Sequence, residues 1–175
     1  AAERFVVSSR SLRPDVAKYH HTEGICLRRA AFSNTSQVAS FLTADSGRLS
    51  FIAKGVTRAP KKGVRTGLDL LGRYEMLYTI PRRGALLNLT YRWFREAFGG
   101  LRADLKRLLC GYYAAELALS FTAEGVPCPG FYDLMVRALR SFSAGRALAM
   151  NIVVLELGAL REHGSCPEFS ACAVC

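Results

Sequence analysis

Apolar and polar positions alternate with a period of two from about residue 22 to residue 97, and then repeat with a period near 3.6. In the first stretch, short runs rich in β-branched and aromatic residues are separated by turn residues, which is the pattern of strands. TEGICLRRAAF (22–32), QVASFLTA (37–44) and RLSFIAKG (48–55) are the first three expected strands, with Asp45-Ser46-Gly47 turning the last two into a hairpin. RYEMLYTI (73–80) places Tyr74, Met76, Tyr78 and Ile80 on one face. LLNLTYRW (86–93) does the same for Leu87, Leu89, Tyr91 and Trp93, and both faces are expected to point into a core. Five strands in so short a stretch suit a small closed barrel, of which the OB-fold is the commonest kind.

Beyond Gly99-Gly100 the spacing becomes helical. Leu101, Leu105, Leu108, Tyr112, Ala115 and Leu119 form one expected apolar stripe, ended by the breaker run 125–130. Phe131, Leu134, Met135, Ala138 and Phe142 mark a second helix, and Leu148, Ile152, Leu155 and Ala159 a third. The third is apolar nearly all round and is expected to be the central helix of its half. The predicted class is therefore α+β, strands first and helices second. A flexible extension (1–17) precedes an OB-like barrel domain (18–98), which leads into a small helical domain (99–175) ending in a partial zinc motif.

Charge divides the chain in the same way. The formal net charge is +10. Residues 18–100 hold fourteen basic and five acidic residues, a net +9, whereas 101–175 hold seven of each. A basic module beside a neutral one points to a polyanion site on the first. Arg28, Arg29, Arg48, Lys54, Arg58, Lys61, Lys62 and Arg65 lie in the first three strands and the loop that follows, and are the expected DNA-binding residues. Arg82, Arg83, Arg92 and Arg95 add to them. Small barrels bind single strands with a cationic groove and exposed rings on which bases stack. Phe32, Phe51, Tyr74, Tyr78, Tyr91, Trp93 and Phe94 are the available rings, but four of these (Tyr74, Tyr78, Tyr91 and Trp93) fall on the faces assigned to the core.

The remaining chemistry is sparse. Cys172 and Cys175 form a Cys-x-x-Cys pair, half of a tetrahedral zinc site. The other half is expected from a second cysteine pair beyond residue 175, the sequence being read as a fragment. The alternative is an internal set of His163, Cys166, Cys172 and Cys175. Cys26, Cys110 and Cys128 are isolated. No Walker loop, nucleophile elbow, His-Glu-x-x-His or dinucleotide fingerprint is present, so no enzyme is predicted. No secretory signal or long apolar run is evident, and the expected setting is the cytoplasm, in association with the nucleoid.

Taken together, these stretches resemble the RecO family. The resemblance begins at TEGICLRRAAFSNTSQVASFLTADSGRLSFIAKGVTRAPKKG (22–63), where Gly24–Arg29, Ser36, Leu42, Thr43, Gly47 and Ala53-Lys54-Gly55 match the family's opening pattern. It continues through LRADLKRLLCGYYAAEL (101–117) and PGFYDLMVRAL (129–139), and ends on Leu155-Glu156-Leu157 and the run from Cys172 to Cys175. It implies an N-terminal OB domain, a helical domain carrying zinc cysteines, and a bacterial, non-enzymatic role in DNA recombination and repair. It further implies binding of single- and double-stranded DNA, annealing of strands, and cooperation with RecR, the single-strand-binding protein and RecA. One structural Zn²⁺ in the full-length protein is the only cofactor expected. The rival readings are an RNA-binding OB protein of the translation machinery and a zinc-containing protein-interaction adaptor.

Overall fold

The computed structural model describes residues 18–56 and 67–172. Five strands come first: β1 (Tyr19–Ala31), β2 (Gln37–Thr43), β3 (Gly47–Ala53), β4 (Arg73–Thr79) and β5 (Leu87–Glu96). They pair in the order β1-β2-β3-β5-β4 and close back onto β1 as a barrel. All pairs are antiparallel except β3 with β5. This five-stranded closed ring is OB-like.

One row of paired residues shows how the ring closes. It starts on β1 at Ala31 and passes through Gln37, Ala53, Leu89 and Tyr78. It returns to β1 at His20, eleven residues from where it began. Such a stagger is what tilts strands enough for so few to enclose a core. The long β1 bends to serve both neighbours, and Gly24 makes room for the bend. A methyl group there would sit 3.0 Å from the Leu42 carbonyl oxygen and 2.9 Å from Met76 Cε.

Alternation fills the barrel: Cys26, Ala39, Phe41, Phe51, Ala53, Tyr74, Met76 and Tyr78 form its interior, with Val56 and Leu68 from the β3–β4 connection. Phe41 and Phe51 meet edge to face, as do Phe41 and Tyr74, and Phe51 and Tyr78. A second core lies outside the barrel. There Ile25, Leu27, Leu42 and Leu71 pack against the helical half. Leu27 is the odd residue of a β1 bulge, because Cys26 pairs with Phe41 and Arg28 with Ser40.

The expected faces need correction on β5. Leu89 pairs with Tyr78 and Tyr91 with Leu77, which leaves Thr90 without an opposite residue. This bulge inverts the strand beyond it. Leu87 and Leu89 pack against the barrel interior, whereas Tyr91 and Trp93 are 60% and 47% exposed. Ile80 lies past the end of β4 and is exposed as well.

After β5 come a 3₁₀ turn, η1 (Gly99–Ala103), and three helices: α1 (Leu105–Phe121), α2 (Pro129–Ser143) and α3 (Leu148–Glu162). Asp104 caps α1, its Oδ1 accepting from the Lys106 amide at 3.2 Å. The expected α1 stripe is wrong in detail. Leu105 and Tyr112 are exposed, and the buried face is Gly111, Ala114, Ala115, Leu117 and Ala118. Four of those five residues are small, so the periodicity of the large side chains pointed to a different face. The expected central helix is also wrong. α3 packs against both α1 and α2 but buries only Leu155 and Ala159, leaving Met150, Val153 and Val154 exposed, whereas α2 buries seven residues from Phe131 to Phe142. Pro129 begins α2, where its missing N–H costs nothing.

A short backbone bridge ties the connection between α1 and α2 to the barrel. The Arg48 amide donates to the Ala123 carbonyl at 3.4 Å, and the Gly125 amide donates to the Arg48 carbonyl at 2.9 Å. Gly47, at φ 65°, lies so close to the Val126 backbone that no side chain fits between them. Among the described residues, no helix is long and apolar enough to cross a membrane.

Candidate nucleic-acid interface

The structure divides the expected cationic cluster into parts. Arg28 is exposed on β1 opposite Ser40, whose hydroxyl is 3.3 Å from that of Ser50 on β3. Arg29 is exposed too, but its guanidinium donates to the Leu68 carbonyl at 2.7 Å and so pins the segment leading into β4. Lys54 is exposed directly after the Ala53–Leu89 pair, at the mouth of the β3–β4 connection. Arg48 is not an exposed cation: it is half-buried at the seam with residues 123–125, and its Nε is buried without a hydrogen-bond partner. Arg58, Lys61, Lys62 and Arg65 lie outside the described residues.

A second surface comes from the β4–β5 hairpin and the adjoining part of β1. Its outward positions are Tyr19 and His21 on β1, Glu75 and Leu77 on β4, and Tyr91 and Trp93 on β5. Tyr91 and Trp93 lie with centroids 6.3 Å apart and planes 23° from parallel. Glu75, directly opposite Glu23 of β1, is held by two partners, His21 Nε2 at 2.6 Å and the Arg95 guanidinium. Phe94 is half-exposed, with its ring edge-on to Tyr74. Of the seven rings considered as platforms, Phe51, Tyr74 and Tyr78 belong to the barrel core, and Phe32, Tyr91, Trp93 and Phe94 are exposed. The exposure of Tyr91 and Trp93 was missed because strict alternation put them beside Leu89. The adjacent Trp93-Phe94 pair, which no single inward face can hold, was the available signal.

Between the barrel and α2 runs a chain of charged groups. Glu23 Oε1 accepts from Arg73 Nε at 2.6 Å and from the Tyr132 hydroxyl at 2.5 Å. Arg73 also donates to Glu96 at 3.1 Å, and Arg140 grips the same carboxylate through two nitrogens at 3.0 and 2.9 Å. Burial disfavours the charge of Glu23, but the hydrogen bonds from Arg73 and Tyr132 outweigh it and hold the carboxyl below its usual range. The Arg140 hydrogen bonds lower Glu96 in the same sense, against the opposing effect of its burial. Tyr132 is pushed above the ordinary phenol range by burial and by donating to Glu23.

The thiols do not assemble a site. Burial pushes Cys26 up to about 12 and also raises Cys128, so both remain protonated thiols in the core. Cys166 is half-buried and Cys172 exposed, and His163 Nδ1 lies 3.0 Å from the Ser165 hydroxyl. Among the described residues, no three His, Cys, Asp or Glu side chains converge on a common point. Cys175 lies outside the described residues. The Cys172–Cys175 spacing itself suits two thiolate ligands of zinc.

Two families divide the chain at the point where strands give way to helices. "Recombination protein O N terminal" matches residues 17–93, and "Recombination protein O C terminal" matches residues 102–175. The chain belongs to the RecO family. Proteins named DNA repair protein RecO are similar over most of its length. The one from Anaeromyxobacter sp. (strain K) is 32% identical over 87% of this chain, and the one from Moorella thermoacetica is likewise 32% identical over 87%. The one from Rhodopirellula baltica is 33% identical over 86%. The RecO-family chain spans 59% of the length of the Anaeromyxobacter relative and 56% of the other two.

Proposed function

We propose that this chain is the DNA-binding part of a non-enzymatic RecO-family repair protein, which holds single and double strands through its barrel and promotes their annealing. The observation that carries this reading is the charge division: a net +9 on residues 18–100 beside a neutral helical half, in a chain of this family. Cations at Arg28, Lys54, Arg58, Lys61 and Lys62 would neutralise phosphates of any sequence. Two strands carried on such a surface repel one another less, which speeds their pairing without bond chemistry. Cooperation with RecR, the single-strand-binding protein and RecA belongs to the same reading. So does a nucleoid-associated place in the cytoplasm.

A structural zinc held by Cys172, Cys175 and two further ligands fits the spacing of this thiol pair. When bound, the metal would cross-link the chain after α3. Cys172 and Cys175 would then act as anchoring thiolates, with no part in holding DNA.

The test mixes complementary oligonucleotides with and without the protein, in the presence of Mg²⁺, and resolves the products on denaturing and native gels. Faster duplex formation without ATP and without strand shortening is expected. Shortened strands, or a requirement for ATP hydrolysis, would reveal an active site and overturn the non-enzymatic reading. A clear preference for RNA over DNA of the same sequence would favour the translation-type alternative.

A further inference from the structure

Thr90 aims two large rings into solvent from a strand that otherwise feeds the barrel core. Exposed aromatic pairs of this size are unusual on a small domain unless something lies on them. Bulges commonly re-aim side chains at functional positions. The surroundings favour a nucleic-acid occupant. From Leu77 to Arg95 the chain holds Arg82, Arg83, Arg92 and Arg95 and not one carboxylate. Of these, Arg82 and Arg83 are exposed in the β4–β5 turn, whereas Arg92, opposite Met76, lies on the other face of β5 and Arg95 is tied to Glu75. Glu75, opposite Trp93, is paired with Arg95 and His21, and Glu23, opposite Glu75 on β1, is paired with Arg73, so the carboxylates beside the rings are neutralised by their neighbours. A surface built for an apolar protein partner has no need of that excess of cations.

We propose that Tyr91 and Trp93 form a stacking platform on which unpaired bases of a single strand lie, on the β1–β4–β5 side of the barrel. This rests on the DNA-binding reading above and extends it to a part of the barrel outside the Arg28–Arg65 set. The two rings lie within 23° of parallel with centroids 6.3 Å apart, so bases of one strand can stack against both. Stacking uses the π-face common to every base and therefore reads no sequence. A paired base is already stacked on its neighbours within the duplex, so the platform discriminates single from double strands, which the phosphate contacts do not.

Trp93 is the sole tryptophan of the chain, so the unmodified protein reports on its own platform. Titrating the 175-residue chain with oligothymidylate should quench its tryptophan emission saturably, and the same length of duplex should quench it far less. Replacing one ring by alanine, Tyr91→Ala or Trp93→Ala, should weaken single-strand binding roughly 5- to 150-fold. Binding of duplex should stay within about twofold, because its phosphate contacts are untouched. Trp93→Phe, which keeps a ring, should recover most of the loss. Wild-type binding without quenching, or a folded Tyr91→Ala/Trp93→Ala protein with unchanged single-strand affinity, would overturn the platform and leave the DNA-binding reading standing. The rings would then be assigned to a protein partner. Failure of the unmodified chain to bind either form of DNA would overturn both.

Discussion

The hydroxyl of Tyr132 on α2 donates to the carboxylate of Glu23 on β1 at 2.5 Å, across 109 residues of sequence. It joins the two halves through a charged group rather than through apolar packing alone. Tyr132→Phe keeps the ring in the core and removes only this bond. The variant should lose about 1–2 kcal/mol of stability, the scale of a partly solvated hydrogen bond to a charge, and roughly 2–8 °C in Tm. Thermal unfolding followed by circular dichroism measures it. An unchanged Tm would mean that water replaces the phenol without cost.

Acid should loosen the same junction. Glu23 and Glu96 are both held below the ordinary value of 4.5 in the folded chain. Their contribution is complete above that value. Below it the unfolded chain takes up protons that the folded chain refuses, so stability falls as pH drops through the folded values. Melting curves between pH 6 and pH 3 should show this loss. In Glu23→Gln/Glu96→Gln the fall should be shallower, starting from lower stability at neutral pH. Identical slopes would show that other carboxylates govern acid unfolding.

DNA affinity should depend strongly on salt. If about five phosphates are neutralised, single-strand affinity falls roughly 100-fold between 50 and 200 mM salt. Reversing charge at Lys54, Arg58, Lys61 and Lys62 together should weaken binding to all sequences alike and flatten that slope. Fluorescence anisotropy at several salt concentrations checks both. Normal binding by the quadruple variant would move the phosphate contacts elsewhere on the barrel.

Much of the fold was legible because it follows from alternation and turns. The five strands, the Asp45–Gly47 hairpin and the inward faces of Tyr74, Met76 and Tyr78 all rest on local pattern. The errors arose where one residue changes the phase or where small residues carry the contact. Thr90 reverses β5, and Gly111, Ala114, Ala115 and Ala118 give α1 a buried face on which Leu117 is the one leucine. Arg48 looked like a free cation because nothing near it in sequence announces the bridge from residues 123–125. The Glu23–Tyr132 bond was equally invisible, since each residue is unremarkable in its own segment.

The metal reading has its own check. Zinc is expected in the longer protein at close to one equivalent, bound through thiolates that release protons as they coordinate. Elemental analysis of a chain ending at Cys175 separates the two ligand sets. Near-stoichiometric zinc there, lost on His163→Ala, would favour the internal His163, Cys166, Cys172 and Cys175 set. Zinc absent from the longer protein as well would reject both.

The unpaired Thr90 makes the outer face of β5 a matter of parity. Deleting that residue would remove the bulge yet keep Leu89 opposite Tyr78 and Tyr91 opposite Leu77, so both rings would stay outside. Drawing Thr90 into the ladder opposite Leu77, with no change of length, would instead bring Tyr91 opposite Met76, turning Tyr91 and Trp93 inward and Arg92 outward. Loss of Thr90 should therefore be tolerated and its entry into the ladder resisted, although its own side chain is exposed.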